Sequence, residues 1–546
     1  MTSMINLREL GKPGNASLAG LGVVGLLGGW IAGYAMHWGP LAYSDSVSYL
    51  EMAHNLLAGL GPIEFKGSGK IELLATHPPF YSIVLALFSL TGQPLIITAR
   101  ILNIVLFALF VFGVGLLLYL IMRRPLISLY VSFFLLSARV MVTNFTGAMS
   151  EPIFFCLGVF GLFFVLIYLR TKHSGFLWIS AALTGLSIIS RFTGVTIIAA
   201  GCAALLIFSL KPIKKRLWDA LSYFILSLIP FLIWRIYLNS IGGYLGFYSI
   251  PAYPEMATLL SDGFKTMIKF VFRWLPWGSQ IEARFPDQQT VILTVLGLCG
   301  LLFLLLALFK QGKNLFRAAW RKPNFQIGIT FGVFNLVYFL FLMFTYVFVN
   351  FPKPFLDDRV LSPLLVGGVL SAVGFLDFIL EDTRPAILRQ IIPAGMILLF
   401  IIPNINPTMS YVQSMHIAGI GYTSKTWQRS GTIKAVMGLP ADLHIISDNI
   451  DAIKFYTFRS ASRIPELESM TPQPFEQTFG DNPDDPVQAQ FRNGQAVLVL
   501  FNDAYSQFDA IYGGQATQTR LKAFTNGLYP YYEGSDGSIY YYSAPK

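Results

Sequence analysis

The chain has 546 residues, of which 54% are hydrophobic and only 12% are charged, whereas soluble domains are about 25% charged. The formal net charge is +10, but most Lys and Arg residues lie at the ends of hydrophobic runs, where such residues set orientation in a membrane. Composition therefore excludes a soluble globular protein, and the basic excess does not indicate nucleic-acid binding. The pattern predicts a polytopic α-helical membrane protein.

Apolar runs long enough to cross a hydrocarbon core of ~30 Å recur along the chain. A further run at 80–91 is short for a full span, so it is either a half-helix, a tilted helix or part of a hairpin. We predict about 11 to 13 transmembrane helices. The predicted spans lie near residues 18–38, 95–121, 125–143, 150–170, 175–190, 194–210, 218–238, 290–310, 326–350, 359–380 and 386–404.

Basic clusters decide the predicted orientation, because Lys and Arg near span ends favour the cytoplasm. Pairs such as Arg123-Arg124 and Arg384/Arg389 then lie inside. Residues 1–404 form the predicted membrane domain, with a first outer loop at 39–79 and a second at 239–289. The second loop is rich in aromatic residues and Pro, which suits either an interfacial anchor or a groove for a lipid or sugar. We expect a multi-pass protein of the inner (plasma) membrane.

After residue 405 the hydrophobic runs shorten to strand length, at 444–448, 452–458, 496–501 and 538–543. Helix-like stretches lie around 424–437 and 515–526. Short strands that alternate with helices predict a small extracytoplasmic α/β domain over 405–546.

The predicted first outer loop is the first part of the chain in which polar residues that could carry chemistry lie close together. Asp45 heads the amphipathic stretch SDSVSYLEMAHNLL, where Ser44 or Asp45 suits a helix N-cap and Ser48 and Glu51 are spaced like a capping box. The functional interpretation is a general base held at a helix start, and the two interpretations are compatible. His77-Pro78-Pro79 ends the loop in an extended conformation, which either gives a rigid entry to the next segment or aims His77 at a phosphate or hydroxyl.

Three further charged residues stand at predicted outer boundaries of spans. Glu151 begins one span, Arg191 lies in SRFTG between two others, and Arg359 lies in DDRVLSP. Charges near hydrocarbon are candidates for function. Each also has a structural interpretation: a favourable helix-dipole contact for Glu151, snorkelling for Arg191, and pairing with Asp357 and Asp358 for Arg359.

These pieces, in this order, resemble the C-type (GT-C) glycosyltransferases of bacterial membranes, including the protein O-mannosyltransferases and the transferase that adds aminoarabinose to lipid A. The resemblance rests on Asp45 in SDSVSYLEMAHNLLAGLGP, on THPPFYSIVLALFSLTG, on SEPIFF, on SRFTG and on DRVLSP. The chain departs from many relatives in having Ser46 after Asp45, and Val360 in place of a Tyr. Both departures weaken any metal-binding or second-acid role taken from the family's acidic doublet.

The resemblance implies the GT-C fold and an inverting glycosyltransferase whose donor is a sugar on a polyprenyl phosphate. Asp45 would be the catalytic base. The acceptor would be a glycan, a lipid or a protein, and membrane lipids would surround the chain. Donor phosphate or substrate would contact five residues, which are His77, Tyr81, Glu151, Arg191 and Arg359.

Other interpretations stay open from the sequence. A transporter or flippase would also place charges in its membrane part, and the tail could belong to a non-catalytic scaffold. His54 and His77 without paired carboxylates make a weak metal signal, and the cysteines lie in separate hydrophobic runs. We therefore expect no metal and no cofactor.

Overall fold

The computed structural model describes residues 10, 13–64, 77–242, 247–248, 250–285, 288, 319–351, 355–381, 387–474, 477–482 and 484–544. The helices of the membrane part are α1 Asn15–Ala35, α2 Ser44–Leu57, α3 Phe80–Ser89, α4 Leu95–Met122, α5 Pro125–Ser137, α6 Arg139–Phe145, α7 Glu151–Thr171, α8 Ser174–Ile188, α9 Val195–Phe208, α10 Ile213–Ser240, α11 Tyr253–Trp274, α12 Gly278–Arg284, α13 Pro323–Phe348, α14 Asp358–Ile379 and α15 Leu388–Ala418.

The protein is a multi-pass helical membrane protein, as the sequence predicts. Within the described residues, seven helices are long and apolar enough to cross a membrane, and an eighth span results if the bent pair α5 and α6 is counted as one. Three shorter apolar helices accompany them, at Phe80–Ser89, Ser174–Ile188 and Phe192–Phe208. The predicted span at 290–310 lies outside the described residues.

The span predicted over 125–143 is broken. Helix α5 ends at Ser137, Ala138 takes an extended backbone conformation (φ −74°, ψ 113°), and α6 leaves at 68°. Ala138 therefore interrupts the helical backbone, and the break places Arg139 at the start of a separate short helix.

Helices α13 and α14 pack closely along their length. The approach requires small residues, because a Cβ added to Gly374 would lie 2.5 Å from the backbone nitrogen of Gly328. Small residues at such interfaces let membrane helices approach closely without a hydrophobic driving force. Strand β1 (Phe247–Tyr248) pairs antiparallel with β2 (Val349–Phe351), which follows α13 directly.

The last long helix, α15, continues to Ala418, past the predicted end of its span at residue 404. It contains Pro393, Pro403 and Pro407, which membrane helices tolerate when neighbours satisfy the freed backbone groups. The compact part of the tail begins after this helix. The division of the chain at residue 405 stays a prediction.

The tail forms a five-stranded sheet in the order β4-β3-β5-β7-β6. β3 is parallel to β4 and β5, while β7 is antiparallel to β5 and β6. The strands are β3 His444–Ser447, β4 Ala461–Arg463, β5 Ala496–Phe501, β6 Tyr529–Glu533 and β7 Gly537–Tyr541. The helices are α16 Lys425–Gln428, α17 Gly431–Met437, α18 Ile450–Thr457, α19 Pro465–Ser469, α20 Pro486–Arg492, α21 Ala504–Tyr512 and α22 Gln515–Thr525.

The strand predicted at 452–458 is wrong, because this segment belongs to helix α18. Asn449 caps the helix through its side chain, which accepts a hydrogen bond from the backbone nitrogen of Ala452 at 3.1 Å. The preceding prediction, a strand at 444–448, is confirmed by β3. A short apolar run fits a strand and a buried helix equally well, and the capping residue Asn449 was the missed signal.

Candidate active site

Helix α2 carries Asp45 in its first turn, but Asp45 is not its cap. The cap position is Tyr43, whose backbone nitrogen donates to the hydroxyl of Ser46 at 3.2 Å. The capping box predicted for Ser48 and Glu51 is therefore wrong. Because the cap does not use the carboxylate of Asp45, that group is free to project from the end of the helix.

Two cations approach the carboxylate of Asp45, one at each oxygen. Arg359 Nη1 donates to Oδ2 at 2.6 Å, and His77 Nε2 lies 3.6 Å from Oδ1. Burial would raise the pKa of Asp45, but hydrogen bonds and charges from His77 and Arg359 outweigh burial and hold this pKa well below its usual range. The side chain keeps 35% exposure, so Asp45 is an accessible carboxylate rather than a core residue.

His77 stands between two carboxylates. Its Nδ1 lies 3.5 Å from Glu64 Oε1, on the side opposite Asp45. Burial would lower the pKa of His77, but Asp45 and Glu64 together raise it to about 9. The imidazole is therefore positively charged at neutral pH, and Pro78 and Pro79 fix the chain that presents it.

A second group of charges adjoins the first. Arg191 Nη1 lies 2.6 Å from Glu151 Oε1, and Arg359 Nε lies 3.3 Å from the same oxygen. Glu151 is only 3% exposed. Arg191 comes from the turn after α8, Glu151 from the first turn of α7, and Arg359 from the first turn of α14. Arg359 thus joins Glu151 to Asp45.

Tyr81 lies behind this site rather than in it. Its ring is fully buried and packs edge-on against the ring of Tyr49, with the centroids 5.3 Å apart. Tyr49 in turn shares a hydrogen bond of 2.8 Å with Ser150. Among the described residues, the Tyr81 hydroxyl has no hydrogen-bond partner. Tyr81 therefore supports the ring of Tyr49 through packing.

A cavity of about 790 Å³ opens beside Arg359. Three arginines line it, Arg139, Arg273 and Arg359, together with Trp274, whose indole nitrogen donates to Asp358 at 3.1 Å. Asp358 and Glu282 line it as well, and Arg273 donates to both oxygens of Glu282, at 2.6 and 3.0 Å. Three arginines against two acids leave the wall with a net positive charge, which suits an anion.

An apolar groove of about 590 Å³ adjoins this cavity. The two share Phe134, Trp274, Leu275 and Leu365 as wall residues. Helices α13, α14 and α15 also line the groove, through residues that include Leu336, Val369 and Phe400. The charged cavity thus continues into the apolar groove.

No protein-family model matches the chain, and no curated protein matches it by sequence. Solved structures do match. ArnT from Cupriavidus metallidurans, bound to undecaprenyl phosphate, aligns with a TM-score of 0.51 and 13% identity, covering 98% of this chain and 100% of that one. The apo oligosaccharyltransferase of Archaeoglobus fulgidus gives 0.50 and 14%, covering 97% of this chain and 74% of that one. The mycobacterial arabinofuranosyltransferase AftD gives 0.50 and 12%, covering 98% and 42%.

At such low identity the likeness concerns the fold. The chain has the GT-C fold. The prediction of this fold, with a small α/β domain at its carboxyl end, is confirmed.

Within the GT-C fold, predicted site residues from distant parts of the sequence come together. Asp45, His77, Glu151, Arg191 and Arg359 form one chain of contacts, whereas Tyr81 lies behind it. Their roles stay predictions.

Two neighbours were missed by the sequence reasoning, Glu64 and Arg139. Glu64 is an isolated acid beside Pro62 and Ile63 and is 4% exposed. Arg139 sat inside a predicted span, where an intramembrane charge is itself a signal of function.

Within the described ranges, no group of three His, Cys, Asp or Glu residues is placed to hold a metal ion. His54, the other histidine of the first outer loop, stacks on Phe458 with the ring centroids 4.3 Å apart. His54 and His77 therefore have separate partners.

Proposed function

We propose that this protein is an integral-membrane inverting glycosyltransferase. It moves a sugar from a polyprenyl-phosphate donor to an acceptor hydroxyl. The observation that carries the proposal is the position of Arg359, which contacts Asp45 at 2.6 Å and also lines the cavity that continues into the apolar groove. The side chain of Arg359 thus contacts the proposed base and also lines the proposed donor cavity.

The two connected volumes fit the two parts of such a donor. A phosphate suits the cavity at Arg139 and Arg359, because a guanidinium group can bind phosphate through two parallel N–H hydrogen bonds. Arg273, the third arginine of the wall, is paired with Glu282. A polyprenyl tail suits the apolar groove. In the aligned ArnT structure, undecaprenyl phosphate is the bound molecule, and it belongs to the same class of lipid phosphate.

In the proposed reaction, Asp45 takes the proton of the acceptor hydroxyl. The acceptor oxygen bonds to the anomeric carbon on the face opposite the phosphate, and the bond between that carbon and the phosphate oxygen breaks. Polyprenyl phosphate leaves with the bonding electron pair, and the sugar inverts. One base suffices, because phosphate is a good leaving group and needs no second carboxyl to protonate it.

The contacts of Asp45 with Arg359 and His77 allow donor binding to change how basic Asp45 is. With Arg359 and His77 beside it, Asp45 is a weak base, since a general base works best with a pKa near the working pH. A donor phosphate that draws Arg359 into the cavity removes one of the two cations from Asp45. The proton affinity of Asp45 then rises when a donor is present, and Arg359 offsets charge on the departing phosphate.

No metal is part of this proposal. Both oxygens of Asp45 already face a cation, and the arginines of the cavity supply positive charge to the phosphate. The site is proposed to face the extracytoplasmic side of the inner membrane. The support is charge asymmetry, because the basic clusters predicted to be cytoplasmic, such as Arg124 and Arg389, lie at the opposite end of α14 from Arg359.

The test uses purified protein in lipid nanodiscs with a panel of radiolabelled polyprenyl-phosphate sugars and hydroxyl acceptors. Wild type and Asp45→Asn are compared, with Asp262→Asn as a control at an exposed acid of α11. Sugar-selective release of polyprenyl phosphate is expected from wild type and the control, and a loss of about 10²–10⁴-fold from Asp45→Asn.

Full release from Asp45→Asn at normal protein levels would reject Asp45 as the base. No donor binding across the panel, together with counterflow of a substrate in vesicles, would favour a transporter instead.

A further inference from the structure

Helix α18 of the tail lies against helix α2, which carries Asp45. Lys454 Nζ lies 3.0 Å from Glu51 Oε2, and both residues are buried. The two are 403 positions apart in sequence, so the tertiary fold alone creates the pair. Buried ion pairs are weak sources of net stability, but in some proteins they fix the register of one element against another.

Two aromatic contacts flank this ion pair. Phe455 packs against the buried cluster that contains Tyr49, and the ring of Phe458 stacks on His54. Glu51 and His54 lie in the second half of α2, while Asp45 lies in its first turn. Glu51 follows Asp45 by six residues, which is about 9 Å of helix.

The tail also holds the chain just before α2. The backbone nitrogen of Tyr422 donates to the carbonyl of Ala42 at 2.9 Å, and the hydroxyl of Thr423 donates to the carbonyl of Pro40 at 2.7 Å. Gly421 has φ +69°, and a Cβ there would lie 2.0 Å from the carbonyl oxygen of Ala42. The close approach therefore requires glycine.

We propose that Lys454 and Glu51 are positioning residues, through which the tail holds α2 in the register that presents Asp45 to Arg359 and His77. This inference rests on the proposed function. The tail contacts the chain just before α2, at Pro40 and Ala42, and the second half of α2, at Glu51 and His54, and Asp45 lies between these two sets of contacts. A small rotation of α2 would move this carboxylate away from both cations, and geometry of reacting groups strongly affects rate.

The experiment reverses the charges of the pair. Lys454→Glu, Glu51→Lys and the double variant Lys454→Glu/Glu51→Lys are compared with wild type in nanodiscs, with Lys522→Glu as a control at an exposed lysine of the tail. Hydrogen exchange of residues 44–57 reports the hold on α2. Exchange in β5 reports whether the tail remains folded. The donor kcat and KM are measured on the same samples.

Each single variant is expected to lower kcat at least about tenfold, since such a loss follows from a small misplacement of a reacting group. The donor KM should stay within about twofold because the phosphate cavity is untouched. Exchange in α2 should rise while β5 stays protected, and the double variant should recover most of kcat and of the α2 protection. A neutral variant, Glu51→Gln, keeps the shape of the side chain and should lie between wild type and Glu51→Lys.

Unchanged kcat and unchanged α2 exchange in the single variants would overturn the proposal. So would a double variant no better than the singles while β5 stays protected. If wild type itself releases no polyprenyl phosphate, the proposed function fails, and the exchange arm still shows whether the tail holds α2. If the charge-reversal variants lose β5 protection, the neutral variant Glu51→Gln decides the test. A lower kcat and faster α2 exchange in Glu51→Gln would support the proposal, and wild-type values of both would overturn it.

Discussion

The two ends of helix α14 carry charge clusters of opposite character. At the amino-terminal end, Arg359 contacts Asp45, Glu151 and Asp357, at 2.6, 3.3 and 3.8 Å. At the other end, 18 residues later and about 27 Å away along the helix, Asp377 accepts hydrogen bonds from Arg124, Arg389 and Asn324, at 3.0 to 3.2 Å. Both clusters join helices that are distant in sequence.

The two clusters differ in how accessible their carboxylates are. The carboxylate of Asp377 is 2% exposed, and both of its oxygens accept from fixed donors. At the amino-terminal end Asp45 is partly exposed and Arg359 faces a cavity. A closed, satisfied cluster stabilises a fold, whereas an open one beside a cavity can exchange partners. We therefore expect the Asp377 cluster to govern stability and the Arg359 cluster to govern turnover.

The largest expected effect is the loss of stability in Asp377→Ala. Two partly buried arginines would lose their counter-ion, and removing one partner of a buried pair costs about 3–5 kcal/mol. Thermal unfolding followed by tryptophan fluorescence should show a clearly lower Tm, while donor turnover per folded molecule stays near that of wild type. A normal Tm with reduced turnover would reverse the assignment of the two ends.

Arg359→Gln should have the opposite profile. Turnover should fall about 10²–10³-fold, the loss typical for one removed group that stabilises developing charge, with only a small change in Tm. Release of polyprenyl phosphate is measured beside thermal unfolding of the same sample. Arg359→Lys serves as the charge-preserving control, and it should recover turnover only partly because lysine lacks the planar fork. Wild-type turnover in Arg359→Gln would contradict the role of the Arg359 cluster.

Arg139→Gln tests which residues beside the Arg359 cluster act in donor binding and which act in the chemical step. Arg139 lines the cavity but makes no contact with Asp45 among the described residues, so it should affect donor binding more than the chemical step. The donor KM should rise roughly tenfold, in line with a charged hydrogen bond of about 1.5–3 kcal/mol, and kcat should change little. A large fall in kcat with an unchanged KM would place Arg139 in the chemical step.

The smallest expected effect is a pH dependence of stability due to His77. Its pKa is raised to about 9, above the usual 6.5, so its stabilising contribution is complete below pH 6.5 and is lost as the pH rises through about 9. The Tm difference between wild type and His77→Gln should therefore shrink by a few degrees from pH 6 to pH 10. Parallel Tm curves would show that Asp45 and Glu64 do not hold the proton on His77.

The helical membrane part could be predicted, and Asp45, His77, Glu151, Arg191 and Arg359 could be picked out as candidates, because hydropathy and single charges at span ends are local signals. The pairings could not. Arg124 and Arg389 were interpreted only as orientation signals, yet both bind Asp377. Asp45 was weighed as a helix cap, yet Tyr43 and Ser46 form that cap.

By itself, the sequence determined that the chain is a polytopic membrane protein with an α/β tail. Apolar runs and short alternating elements depend only on residues that are close together in the sequence. Only the tertiary structure decided which charges meet. Arg359 reaches Asp45 across 314 positions and Lys454 reaches Glu51 across 403, and nothing in a local pattern specifies such a partner. Partner choice depends on how the helices pack, because a buried charge must find whichever opposite charge the packing brings within reach.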